Sequence, residues 1–276
     1  MNKFLVLVWD NLKNSLRTKR ALIFLALYLV VFGLITYAFF QIQNEIEKQL
    51  AEQDISGFQR EFMTNFAQNA IVNGANNNAV VQFLFKVPPL NIVLFLVSLV
   101  GTPILLFILN YDKVSQEIYD GTIRYLLFRA SRWQIFFAKF VSSLIECAGI
   151  TLIALFMGVS WASVKFQSVD FALSLQYGLR YWFIAQFFLL VFVAYSLMTS
   201  AIFKKPFTSL VVSFVGWIVM IVVPFFVSYI SPYDPKFFEG LFFHNSLELI
   251  FSLMIYLLFT AVFLAGGYQI FKRNDL

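Results

Sequence analysis

Hydrophobic and polar positions divide the chain into long apolar stretches parted by short polar breaks. Six stretches, roughly 21–40, 90–110, 135–158, 181–203, 207–230 and 247–270, are each long enough to cross ~30 Å of hydrocarbon at ~20 residues per helix. The fourth and fifth are separated only by Lys204-Lys205-Pro206, which predicts a tight turn. Pro206 suits the first turn of the following helix, where its missing N–H costs nothing. The pattern predicts an all-α polytopic membrane protein with six transmembrane helices in a single domain covering residues 1–276. Pro103 and Pro224 fall inside the second and fifth stretches, and each deletes a backbone donor that a regular helix would use.

The remaining segments differ among themselves. Residues 1–20 set Leu5, Val8, Trp9, Leu12 and Leu16 against Lys3, Asp10, Lys13 and Arg17, a helical period with a basic face suited to the membrane interface. In residues 41–89, Ile42, Ile46 and Leu50 extend the first stretch as an amphipathic helix. Ile55, Phe58, Phe62 and Phe66 then form a second stripe, broken at Asn73-Gly74. This predicts an extracytoplasmic helical hairpin, one that packs on itself or serves as a partner-binding lid. Residues 231–246 are too apolar for an ordinary loop and too short to span, which predicts a re-entrant or interfacial segment.

Composition supports lipid as the solvent. Of 276 residues, 60% are hydrophobic and only 13% charged, where a soluble domain carries about a quarter charged. The net charge of +5 would point to nucleic acid in a soluble protein, but here its placement sets topology. With the N-terminus inside, fourteen Lys and Arg lie in cytoplasmic segments and six opposite, as the positive-inside rule requires. Both termini are then cytoplasmic, in a multi-pass protein of the cytoplasmic (inner) membrane. The N-terminal apolar patch is short and lacks a small-residue cleavage site, so it reads as retained.

The cytoplasmic segment 111–134 carries the most information. It continues the second stretch into an acidic turn, then Gly121, then a short amphipathic piece in which Tyr125, Leu126 and Phe128 are ringed by Arg124, Arg129 and Arg132. By composition it is either a docking element for a cytoplasmic partner or a positively charged loop that only fixes topology. Its spacing is Asp112-x-x-Ser115-x-Glu117-x-x-x-Gly121-Thr122-x-Arg124-x-Leu126-Leu127, then Ser131-Arg132 and Lys139. That spacing resembles the ABC-2 type permeases of ATP-binding-cassette transporters. Outside residues 110–140 the similarity is one of architecture, and Ala130 stands where that family commonly has proline.

The resemblance implies that this loop holds a coupling helix contacting an ATPase subunit, through Asp112, Ser115, Glu117, Gly121, Thr122, Arg124 and Arg132. It implies two copies of the ATPase and a second permease copy or paralogue, in the service of export. Alternatively, it implies a mechanotransmitting permease acting on an extracytoplasmic partner through residues 41–89.

Nucleotide chemistry is not expected in this chain itself. It has no Gly-x-x-x-x-Gly-Lys-[Ser/Thr] loop, so no cofactor is expected here and ATP falls to the partner subunit. His244 is the lone histidine and Cys147 the lone cysteine, which leaves no metal-ligand cluster, disulfide or catalytic triad. A membrane enzyme or scaffold is the remaining alternative. Glu146 sits inside the third stretch, where an ionisable side chain costs about 2.5–3.5 kcal/mol to insert at a helix centre. It is a candidate for substrate contact or proton relay, or else for a hydrogen bond to Ser142, Ser143, Thr151 or a neighbouring helix.

Overall fold

The computed structural model describes residues 3–17, 19–52, 89–165, 170–226, 231–233 and 246–273. Among them, all regular structure is helical: α1 (Lys3–Arg17), α2 (Arg20–Glu52), α3 (Pro89–Asn110), α4 (Ser115–Tyr119), α5 (Ile123–Leu127), α6 (Arg132–Lys165), α7 (Phe171–Ile202), α8 (Pro206–Val222) and α9 (Ser246–Arg273). By length and composition α6, α7 and residues 249–273 of α9 can each cross a membrane. The pair formed by α1 and residues 22–38 of α2, bent by 65°, is a fourth candidate. The chain is a multi-pass membrane protein. Most of the hairpin expected over 41–89, and the segment expected over 231–246 apart from residues 231–233, lie outside the described residues, as does His244.

Helix limits differ from the apolar stretches for local reasons. The first stretch continues as one helix to Glu52. The fourth was expected from residue 181, yet α7 begins at Phe171 because Asp170 caps it, its carboxylate accepting from the N–H of Ala172 (2.9 Å) and Leu173 (3.2 Å). Hydropathy alone misses this first part of α7, which carries Gln176 and Arg180.

The fifth stretch stops short of its expected end. Proline at 224 has no N–H for the carbonyl of Met220, and α8 tightens into a 3-10 turn over Val223–Phe225. The hydroxyl of Ser231 donates to that Met220 carbonyl instead. Pro103, by contrast, lies within a helix that continues through it.

Helix α7 is the axis of the bundle: α3, α6, α8 and α9 all pack on it, α9 most extensively. Its residues from Phe188 to Ala201 are nearly all buried. Phe107 of α3 sits in an aromatic cluster with Phe192, Tyr195, Phe214 and Trp217, ring centroids 5.7–6.5 Å apart and edges turned to faces. Small residues allow close approach: a Cβ on Gly267 of α9 would lie 3.0 Å from Met198 Cα. A second buried cluster joins Tyr28 and Phe32 of α2, Leu90 and Val97 of α3, and Leu155 and Val159 of α6.

The outside of the bundle is as apolar as its inside. Phe207, Val211, Val215, Ile218 and Val222 form one exposed face of α8, and Ile250, Met254 and Leu258 do so on α9. Water would penalise such faces, whereas hydrocarbon accepts them while each helix satisfies its own backbone.

Candidate functional site

The segment after α3 turns twice and returns along α6. Ser200 of α7 organises the first turn. Its hydroxyl oxygen accepts from the N–H of Val114 (3.1 Å) and Ser115 (3.0 Å) and donates to the carbonyl of Tyr111 (2.9 Å). The Ser115 hydroxyl also donates to the Tyr111 carbonyl, at 2.7 Å. Groups that would be stranded where α3 ends are thereby satisfied inside the protein. Asp112 and Ser115 are both buried at this turn. The second turn, between α4 and α5, passes through Gly121 at φ 71°, the left-handed region that glycine enters without a Cβ penalty. Thr122 follows as the N-cap position of α5, its hydroxyl 3.4 Å from the Glu117 carbonyl.

Two ion pairs clamp the loop to α6, and they run in opposite directions. Lys113 of the loop donates to Glu146 of α6 at 2.7 Å and to the Ser143 hydroxyl at 2.9 Å. Glu117 of the loop accepts from Lys139 of α6 at 2.5 Å, and the same ammonium donates to the Lys113 carbonyl at 2.6 Å. Glu146 uses its other oxygen to accept from Ser15 of α1, so three elements meet on one carboxylate. Burial pushes the Lys113 ammonium below its ordinary pKa, and the Glu146 carboxylate draws it back up. Lys139 and Glu146 lie two turns apart on α6, about 10 Å along its axis, so the loop is gripped at two heights.

Glu146 thus joins α1, the loop and α6, bonded to Ser15 on a neighbouring helix and paired with Lys113 of the loop. Beside the clamp, a cavity of about 380 Å³ separates α1 from the loop, bordered by Asp10, Lys13, Arg17, Glu117 and Lys139.

The far side of the loop faces away from the bundle. Tyr119, Tyr125 and Phe128 are 64, 74 and 88% exposed, and Arg124 is exposed beside them. Leu126 instead packs inward against the core. Arg132 lies apart from this surface. Its guanidinium donates to the carbonyl of Lys272 near the end of α9, capping one of the orphan carbonyls there. The structure therefore divides the residues of the sequence motif. Asp112, Ser115 and Glu117 are built into the junction with the bundle, Gly121 and Thr122 form the turn, Arg124 is outward, and Arg132 reaches the last helix.

Lys113, Lys139, Ser15 and Ser200 were not among the residues singled out for this loop. Both lysines count among the fourteen cytoplasmic Lys and Arg, and Lys139 also ends the motif. Their partners are 33 and 22 residues away. Among the described residues, no group of three or more His, Cys, Asp or Glu could hold a metal ion.

A family model described as ABC-2 family transporter protein matches residues 5–276 of the chain. No curated protein matches it.

Proposed function

Because the chain belongs to the ABC-2 family of transporter proteins, we propose that it is the transmembrane permease subunit of an exporter, driven by a separate ATPase that docks on residues 111–134. The observation that carries this reading is the division of the loop into two faces. One face presents Tyr119, Tyr125 and Phe128 to the outside, an apolar knob suited to a groove in a partner. The other is clamped through Lys113–Glu146 and Glu117–Lys139 to α6, and through Ser15 to α1.

A push on the knob is therefore delivered to α6 and α1 as a displacement of packed elements, which is what coupling requires. Six membrane spans, with α1 lying in the cytoplasmic interface and both termini cytoplasmic, match the placement of Lys and Arg. Six spans make half of a transmembrane unit, so a second permease chain and two ATPase subunits complete the transporter in the cytoplasmic membrane. ATP is bound by the partner, and no cofactor is assigned to this chain.

The test is to isolate the full chain with its ATPase in lipid nanodiscs and to compare the wild type with Tyr125→Ser/Phe128→Ser. These side chains touch little of the bundle, so unfolding temperature is expected to hold. Bound ATPase and its ATP hydrolysis are expected to fall severalfold. Unchanged binding and hydrolysis would remove this face as the docking site.

A further inference from the structure

Away from the loop, α2, α3, α6 and α7 enclose a cavity of about 40 Å³ beneath the start of α3, room for two or three water-sized groups. Tyr28, Leu155, Tyr181 and Trp182 contribute to its wall, and among the described residues no charged side chain lines it. Asn91, in the first turn of α3, borders the cavity and is 1% exposed. Both polar atoms of its side chain, Nδ2 and Oδ1, are buried without a hydrogen-bond partner among the described residues. Buried amides in native proteins are nearly always satisfied, so this one stands out.

Two features show how the space beside Asn91 is kept. A Cβ on Gly178 would lie 2.7 Å from Leu155 Cδ1 and 3.4 Å from Asn91 Oδ1, so glycine at that position leaves the cavity open against the amide. Part of the opposite wall is already engaged. The Trp182 indole donates to the Thr151 hydroxyl at 3.0 Å, and that hydroxyl donates to the Cys147 carbonyl at 2.9 Å. Asn91 is thus a buried wall group with hydrogen-bonding capacity in hand, two donors and an acceptor in one plane.

Resting on the permease reading above, we infer that this cavity is a substrate subsite for the head of a neutral amphiphile, a hydroxyl or amide group attached to an apolar body. A hydroxyl or amide both accepts from Nδ2 and donates to Oδ1. A carboxylate satisfies only the donor, and its charge meets no cation among the described wall residues. The aromatic and leucine side chains accept the apolar part of such a molecule, as ligand pockets with few convergent polar groups do.

The experiment uses the full chain with its ATPase in nanodiscs and two photoreactive probes of equal chain length. One is a monoacylglycerol with a diazirine beside its head, and the other is the corresponding fatty acid. The neutral probe is expected to label peptides holding Tyr28 or Trp182 in a saturable way, competed by unlabelled monoacylglycerol, and to do so in preference to the fatty acid. Asn91→Leu is expected to lower that labelling about fivefold, the effect of one lost hydrogen bond.

Labelling that does not saturate, that is equal for the two probes, or that is unchanged in Asn91→Leu overturns the assignment. Where that variant does not fold, competition on the wild-type complex decides the matter alone. Saturable labelling of a chain that binds no ATPase would leave the subsite standing and remove the permease reading. Bound, hydrolysing ATPase without saturable labelling would do the reverse.

Discussion

Around α7 the helices meet through rings and small side chains; where the loop meets α6 they meet through charges. The first region is shape-matched, with Phe107 ringed by four aromatic side chains and glycine placed where backbones crowd. The second is matched in sign, with a cation on the loop facing an anion on α6 and the reverse pair at the other height. In hydrocarbon, apolar packing gains nothing from excluding water, so the α7 region holds by close contact. Paired charges near the membrane surface are specific in register but tolerate replacement only in pairs. The difference teaches that the bundle and its handle are held by separable interactions, and each can be broken alone.

The largest effect is expected at the charged junction. Glu146→Ala leaves the Lys113 ammonium buried without its carboxylate, and losing one partner of a buried pair typically costs about 3–5 kcal/mol. Thermal unfolding of the purified chain in nanodiscs should show a large drop. The double variant Lys113→Met/Glu146→Met should recover most of it, because an apolar pair has no charge to strand. A single variant as stable as the wild type would mean that the pair contributes no register at all.

In the dry region the matching test is steric. A Cβ at Gly158 would lie 2.2 Å from the Phe32 ring, which is 1% exposed and has nowhere to retreat. Gly158→Ala is therefore expected to cost about 1–3 kcal/mol by overpacking, measured in the same unfolding assay. Adding Phe32→Leu should restore part of the loss by making room. Coupling of these two substitutions, together with additivity toward Glu146→Ala, is what separable regions predict.

A third test falls on the loop itself, at the Gly121 turn between α4 and α5. No heavy atom lies within 4 Å of a Cβ built there, so the strain of Gly121→Ala is purely in the backbone at φ 71°. About 1–2 kcal/mol is expected, and Gly121→Asn should be milder because asparagine enters the left-handed region more readily. ATP hydrolysis by the complex should fall more than global stability does, since α4 and α5 change their mutual angle while the bundle stays intact. Equal losses in both readouts would show that the turn only supports the fold.

How much of this was legible in the sequence varies with the range of the interaction. The helical stretches follow from composition, and the loop motif from local spacing, because both are written in neighbouring residues. Helix limits were less legible where a polar cap outranked hydropathy, as at Asp170, or where a proline broke the ladder, as at 224. The junction was least legible. Glu117 was singled out by the motif, but its partner Lys139 is 22 residues away, and Ser200 lies 85 residues beyond the N–H of Ser115. Such pairs exist only because α6 runs back along the loop and α7 passes beneath it. One sequence shows the charges but not the fold that brings them together.

The smallest effect is expected at Arg132, where the loop meets the far end of the chain. Its guanidinium caps the carbonyl of Lys272 close to the end of α9, at an exposed position. Arg132→Ala should cost only about 0.5–1 kcal/mol, since the freed carbonyl can turn to water. The informative measurement is local: hydrogen exchange at the last turn of α9 should quicken while exchange across α7 is unchanged. The bond joins the start of α6 to the end of α9, and both helices pack on α7, so the cap ties the charged junction to the dry core at its rim. Faster exchange confined to that turn would mean the cap is a local tie and leave the regions independent. Faster exchange spreading into Lys139 and Glu146 would mean that the last helix helps hold the junction in register, and that the comparison drawn between them is one of degree.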